Sequence, residues 1–181
     1  MVQAAQLPRS AELIRGFVNT RDIEAGTDEF ASPSGLAGWL RSHDLLADSA
    51  RVSERDRQLA IALREALRQA LLAHHDSDAE PAAPHLESVT RDLPLRLAFP
   101  PGGPRLEAAE SGARGALASI VAEVHQSVSE GSWSRLKACP GDACAWAFYD
   151  ASKNRSRTWC SMQVCGNRSK TRTFRERHAG G

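Results

Sequence analysis

A chain of 181 residues with 41% hydrophobic side chains and a net charge of +1 can bury a genuine core, which excludes an intrinsically disordered chain. That length allows one ordinary domain, or one domain with a small appendage. No apolar run approaches the ~20 residues a membrane span needs, and the first residues carry neither a basic stretch nor an apolar leader segment. The expectation is a cytoplasmic protein with no membrane partner.

In chain order, residues 10–20 read as a helix. Ser10 is a candidate N-cap, and Leu13, Ile14, Phe17 and Val18 form the apolar side. Ser32-Pro33 marks a second helix start, a capping residue followed by proline at the first helical position, with Leu36, Trp39 and Leu40 on one face. The clearest helix covers about 53–73. Ser53 and Asp56 have capping-box spacing, and Leu59, Leu63, Ala66, Leu67, Ala70 and Leu71 form a stripe that reads as core.

Residues 74–84 are polar and carry proline, so a solvated loop is expected there. The pair His74-His75 reads as part of that loop, with metal contact as the alternative. A short helix is expected at 84–92. Leu95, Leu97 and Phe99 alternate with Arg96 and Ala98. After the turn Pro100-Pro-Gly-Gly-Pro104, Leu106 and Ala108 alternate again, which predicts a β-hairpin. Helical spacing returns from Gly115 to Val128, with His125 expected to be partly buried beside the stripe.

Charge divides the chain near Gly131-Ser132. Residues 1–130 hold 13 lysines and arginines against 19 aspartates and glutamates, whereas residues 131–181 hold 10 against 3. A basic end on an acidic protein points to a polyanion partner. It could also offset the charge of metal-bound thiolates, or dock on the acidic part. The expected domains are therefore 1–130 and 131–181, joined too closely to swing freely.

All four cysteines fall in the second part, as Cys139-Pro-Gly-Asp-Ala-Cys144 and Cys160-Ser-Met-Gln-Val-Cys165, fifteen residues apart. Clustered cysteines in a reducing cytosol bind metal more often than they form disulfides. Two matched pairs predict one structural Zn²⁺ held by four thiolates. That full shell leaves no coordination position for a reacting water. Iron–sulfur ligation lacks its usual spacing, and a disulfide or redox pair is the remaining alternative.

The fifteen intervening residues have room for two short strands. Trp146, Phe148, Tyr149 and Trp159 are expected to pack around the metal, with base stacking as the alternative. Ser161 is a candidate cap for a last helix whose first turn is flanked by Cys160 and Cys165.

The nucleic-acid contacts expected from the basic end are Lys153, Arg155, Arg157, Asn167, Arg168, Lys170, Arg172, Arg175 and Arg177. On a helix Arg168, Arg172 and Arg175 share one side and suit a phosphate backbone, while Asn167 and Arg168 can reach base edges. Lys170 and Arg177 point nearly opposite, beside Phe174.

The strings Lys137-Ala-Cys-Pro-Gly-Asp-Ala-Cys144, Trp146-Ala-Phe-Tyr-Asp150, Ser152-Lys-Asn-Arg155, Arg157-Thr-Trp-Cys-Ser-Met162 and Cys165-Gly-Asn-Arg-Ser-Lys170 closely resemble the bacterial CGNR zinc-finger family. Residues 1–130 resemble the ABATE domain that precedes this finger, through Phe17-Val-Asn-Thr20 and Leu63-Arg-Glu-Ala-Leu67. The resemblance implies zinc on Cys139, Cys144, Cys160 and Cys165, and a stress-induced transcriptional regulator with a DNA-binding finger.

The fold class expected is α+β, mostly helical. An α-rich N-terminal domain with a β-hairpin leads into a small four-cysteine zinc finger, treble-clef-like or zinc-ribbon-like, that ends in a basic helix. DNA is the first expected partner. RNA binding and a zinc-stabilised protein-interaction module are the alternatives. A small ligand or protein partner of the N-terminal domain, and a homodimer, are further expectations. No catalytic motif is present in the sequence, so no enzyme is expected.

Overall fold

A computed structural model describes residues 7–75, 83–141 and 143–178. The fold is mostly helical with small antiparallel hairpins. Helix α1 (Arg9–Val18) leads through a two-residue hairpin, β1 (Arg21–Asp22) and β2 (Thr27–Asp28), into α2 (Pro33–Ser42) and the long α3 (Glu54–Ala73). Then come α4 (Ala83–Thr90), a second hairpin of β3 (Leu95–Ala98) and β4 (Arg105–Ala108), and α5 (Gly112–Ser129). A third hairpin, β5 (Leu136–Ala138) and β6 (Ala147–Tyr149), precedes the closing helix α6 (Asn167–His178).

Local chemistry places most helix starts where the sequence predicts them. Ser32 accepts a hydrogen bond from the Gly35 amide at 3.2 Å, with Pro33 at the first helical position. Ser53 and Asp56 form the reciprocal capping box at the head of α3. Helix α1 behaves differently. It starts one residue before Ser10, after Pro8, and the Ser10 hydroxyl reaches across the fold to the Glu130 carboxylate at 2.8 Å. A long-range acceptor takes the hydroxyl that local reading assigns to a cap.

The core forms where α1, α2, α3 and α5 converge. Phe17, Phe30 and Trp39 meet at its centre, with ring centroids 5.4–6.0 Å apart. Leu36, Leu40, Leu63, Leu67, Leu71, Leu117 and Ile120 close around them, each fully buried. Burial of this kind is worth about 1.5–3 kcal/mol per large side chain. Two expectations for α5 fail. His125 and Val128 are exposed, because the last turns of α5 carry that face past the packed elements.

The third hairpin belongs to the same core. Leu136, Ala138 and Ala147 are buried among the helical residues, with Leu136 paired to Tyr149 and Ala138 to Ala147. Strand β5 lies against α3, and β6 against α1. The chain therefore crosses residues 130–131 without leaving the packed body. This arrangement also corrects the expected strand layout: β5 precedes Cys139, so β6 is the one described strand between the two cysteine pairs.

Candidate metal centre

Each cysteine pair is positioned by a different local device. Strand β5 delivers Cys139, whose amide donates to the Trp146 carbonyl at 2.9 Å. The chain then reverses at Pro140-Gly141, and the Cys144 amide closes the turn on the Gly141 carbonyl at 2.9 Å. Gly141 lies in ordinary packing contact with the cysteines. A Cβ there would lie 3.5 Å from Cys144 Cβ and 3.7 Å from Cys139 Sγ.

The second pair rides on a wide π-type turn, Met162–Gly166, which leads straight into α6. Ser161 caps this turn, accepting from the Val164 amide, so Cys160 and Cys165 flank the opening of the helix as the sequence predicts.

The four sulfurs converge, all lying within 4.8 Å of one another. Cys144 and Cys160 are 3.5 Å apart, and Cys160 and Cys165 are 3.6 Å apart. Tetrahedral zinc with Zn–S bonds of about 2.3 Å sets its sulfurs about 3.8 Å from each other. Cys139 and Cys165 are buried, while the other two are half-buried. The four cysteines are free of disulfides. This donor set fits one structural zinc ion.

Electrostatics argue for a cation at the centre. Burial opposes ionisation of Cys139, but hydrogen bonds from the backbone at Cys160 and Gly141 outweigh it and lower that thiol's pKa. Burial and the neighbouring sulfurs push the Cys160 thiol up, and burial pushes Cys165 up to about 11. Thiolates this close repel one another, and only a bound cation lets all four ionise together.

The expected aromatic shell is partial. Phe148 is buried beside Cys139 and Cys165, with Trp159 half-buried against them. Tyr149 packs instead on the main core. Trp146 reaches the surface, 36% exposed.

A buried ion pair that sequence reading misses holds the chain between the cysteine pairs. Lys137 Nζ donates to Asp150 at 3.0 Å, with the two side chains 6% and 0% exposed. Lys137 also donates to the Arg155 and Arg157 carbonyls. Asp150 accepts further bonds from Ser152 and from the Arg157 amide. Burial alone would raise its pKa, yet these donors hold it down at about 2. Nothing in the local pattern marks Lys137 or Asp150, since the pair forms only when β5 and β6 align.

Four more side chains tie this region to the helical body. Asn19 donates to the Ala147 carbonyl at 2.9 Å and accepts from the Ala147 amide at 2.7 Å. Arg68, nearly fully buried, donates to the Ala145 and Val18 carbonyls, both at 2.7 Å. His74 bonds the Leu136 carbonyl at 2.6 Å, and His75 bonds the Ala138 carbonyl at 2.7 Å. The histidines are therefore neither solvated nor grouped with the sulfurs. They extend α3 onto the backbone of β5. The rest of the expected loop, from 76 to 82, lies outside the described residues.

The predicted nucleic-acid residues fall into three places. Lys153 and Arg155 are exposed on the segment after β6, where Arg155 donates to the Ser134 hydroxyl at 2.8 Å. Arg157 braces the finger, donating to the Trp159 and Cys160 carbonyls while its guanidinium lies 4.9 Å from the Phe148 ring centroid. Asn167, Arg168, Lys170, Arg172 and Arg175 are exposed on α6. The side chain of Arg177 lies outside the described set.

Arg168, Arg172 and Arg175 line one open groove with Gln163, Val164, Asn167 and Thr171. At its edge Arg168 reaches Glu24, in the turn between β1 and β2, at 2.5 Å. This contact lowers the Glu24 pKa and raises that of Arg168. A smaller cleft of about 190 Å³ lies beside it, where Arg168 and Arg172 face Cys144, Cys165 and Trp159.

Comparison with known proteins agrees with this geometry. The CGNR zinc finger model matches residues 135–178. The ABATE model, described as "Putative stress-induced transcription regulator", matches residues 12–147. The two ranges overlap over residues 135–147, from just before β5 to the first residue of β6. No curated protein matches the chain. With the ABATE match spanning most of its length and the four-cysteine cluster inside the CGNR match, the chain belongs to the ABATE family and carries a C-terminal CGNR zinc finger.

Proposed function

We propose that this protein is a transcriptional regulator that binds DNA through α6. One observation carries the reading: Arg168, Arg172 and Arg175 line a single groove on a helix anchored at its head by Cys165. Arginines along one side of a fixed helix suit a phosphate backbone. Zinc is structural in this reading, and no catalytic role is proposed. The helical body senses a signal, a small ligand or a protein, and the chain works in the cytoplasm as a homodimer.

A gel-shift titration of zinc-loaded protein tests it. Three phosphate contacts give a log–log salt slope of about −3, and Arg172→Ala reduces its magnitude by about 1 while weakening binding to every sequence. No binding at low salt with zinc loaded ends the proposal. Tighter binding to duplex RNA or single strands than to duplex DNA would replace DNA with RNA as the partner.

A second reading takes the finger as an interaction module whose basic side docks on acidic protein. The Arg168–Glu24 pair favours it. Glu24→Ala separates the two. If DNA is the partner, freeing Arg168 raises affinity a few-fold, the scale expected of an exposed ion pair. If docking is the purpose, α6 exchanges its amide hydrogens faster and DNA affinity stays negligible.

A further inference from the structure

We infer that the head of α6 reads base edges in the major groove of duplex DNA, and that Gln163 and Asn167 each select an A·T pair, at neighbouring positions. The inference rests on the DNA reading above and adds the residues that give it sequence preference. The groove has two chemically distinct halves. Its far half carries Arg172 and Arg175, which suit phosphate. Its near half carries two amides, Gln163 and Asn167, and an apolar side chain, Val164.

Amides can donate to phosphate as well as to bases, but a phosphate-binding surface has no use for an exposed valine. Val164 is nonetheless 44% exposed. Asparagine and glutamine are the side chains that bond adenine through both its N6 and N7 atoms, and an apolar group suits the thymine methyl.

The amides are positioned for this. The π-type turn runs directly into α6, so Gln163 and Asn167 stand one turn apart, tied by a bond from Asn167 Nδ2 to the Gln163 carbonyl at 3.0 Å. That bond orients the Asn167 amide and leaves its Oδ1 and second N–H for a partner. The Gln163 side-chain amide makes no hydrogen bond among the described residues, and both side chains are exposed.

The helix has 12 residues, about 18 Å of length, and a B-form major groove admits such a helix. The deep, narrow major groove of A-form RNA does not. No aromatic ring lines the groove among the described residues, which argues against stacked single strands.

Selection from a random duplex DNA library with the full, zinc-loaded chain tests the inference. The wild type should recover a short motif with neighbouring A·T pairs, each favoured roughly 5- to 150-fold over the alternatives. Gln163→Ala should flatten one position of that motif while zinc content and non-specific affinity persist. Gln163→Glu should shift the same position towards cytosine, whose N4 amino group a carboxylate accepts. Asn167→Ala should flatten a neighbouring position.

Arg175→Ala should weaken all sequences equally. Duplex binding with no base preference, or a motif unchanged in both Gln163 variants, overturns the inference and leaves DNA binding standing. Failure to bind any duplex overturns both.

Discussion

At the scale of single residues, the finger depends on a lysine and an aspartate as well as on its cysteines. Lys137 and Asp150 are almost wholly buried against each other, and the carbonyls of Arg155 and Arg157 complete the lysine's shell. Removing one member of a buried pair strands the other charge, which costs about 3–5 kcal/mol. Asp150→Ala should therefore destabilise the zinc-loaded protein by about that much in urea denaturation. The double variant Lys137→Met/Asp150→Ala should recover part of the loss, because no orphan charge remains. A single variant within about 1 kcal/mol of wild type would show that water already reaches the pair. The sulfurs were legible from spacing alone because each pair lies within six residues. Asp150 was not, because its partner sits thirteen residues back on the opposite strand.

At the scale of elements, α2 and α3 were legible because their caps are local, and β3–β4 because its alternation is written on both sides of a turn. Strands β5 and β6, at three residues each, are too short to show a period. Their pairing is secured from outside by Asn19, Arg68, His74 and His75, contacts spanning 62 to 128 residues. No local signal distinguishes such residues from surface polar ones. His74 gives this brace a pH dependence. Burial lowers its folded pKa, assisted by the charges of His75 and Lys137 and opposed by its bond to the Leu136 carbonyl. A histidine depressed in the folded state stays neutral there while the unfolded chain takes a proton below about pH 6.5. Its stabilising effect is therefore complete above that pH and is lost as the pH falls through it, by at most about 1.4 kcal/mol per unit. His74→Gln should be less stable at pH 7.5 yet lose stability less steeply between pH 7.5 and 5.5. Thiolate protonation acts on both proteins and cancels in the comparison. Parallel curves would assign the wild-type slope to other groups.

At the scale of the whole molecule, metal and packing hold different parts of the finger. The third hairpin shares the helical core through Leu136, Ala138 and Ala147. The π-type turn has no comparable support among the described residues. Cys165 packs with the other cysteines, Phe148 and Trp159, and α6 follows with a polar, strongly basic sequence. Arg168 also pairs with Glu24 of the helical body, but an exposed ion pair of this kind adds little. A 12-residue helix with arginines at i and i+4 is marginal alone. Loss of zinc should therefore melt α6 and the turn before it but leave the hairpin folded. Cys160→Ala, or treatment with a chelator, should abolish stoichiometric zinc in native mass spectrometry. Hydrogen exchange should then become fast across residues 160–178, while the amides of Cys139 and Ala147 keep most of their protection. Loss of protection at Ala147 as well would mean that the metal also holds the hairpin on α1. Unchanged protection throughout α6 would mean that the basic helix stands without the ion. Because the groove is built on the segment that the metal secures, DNA affinity should fall with zinc occupancy while the unfolding of the helical core stays nearly unchanged.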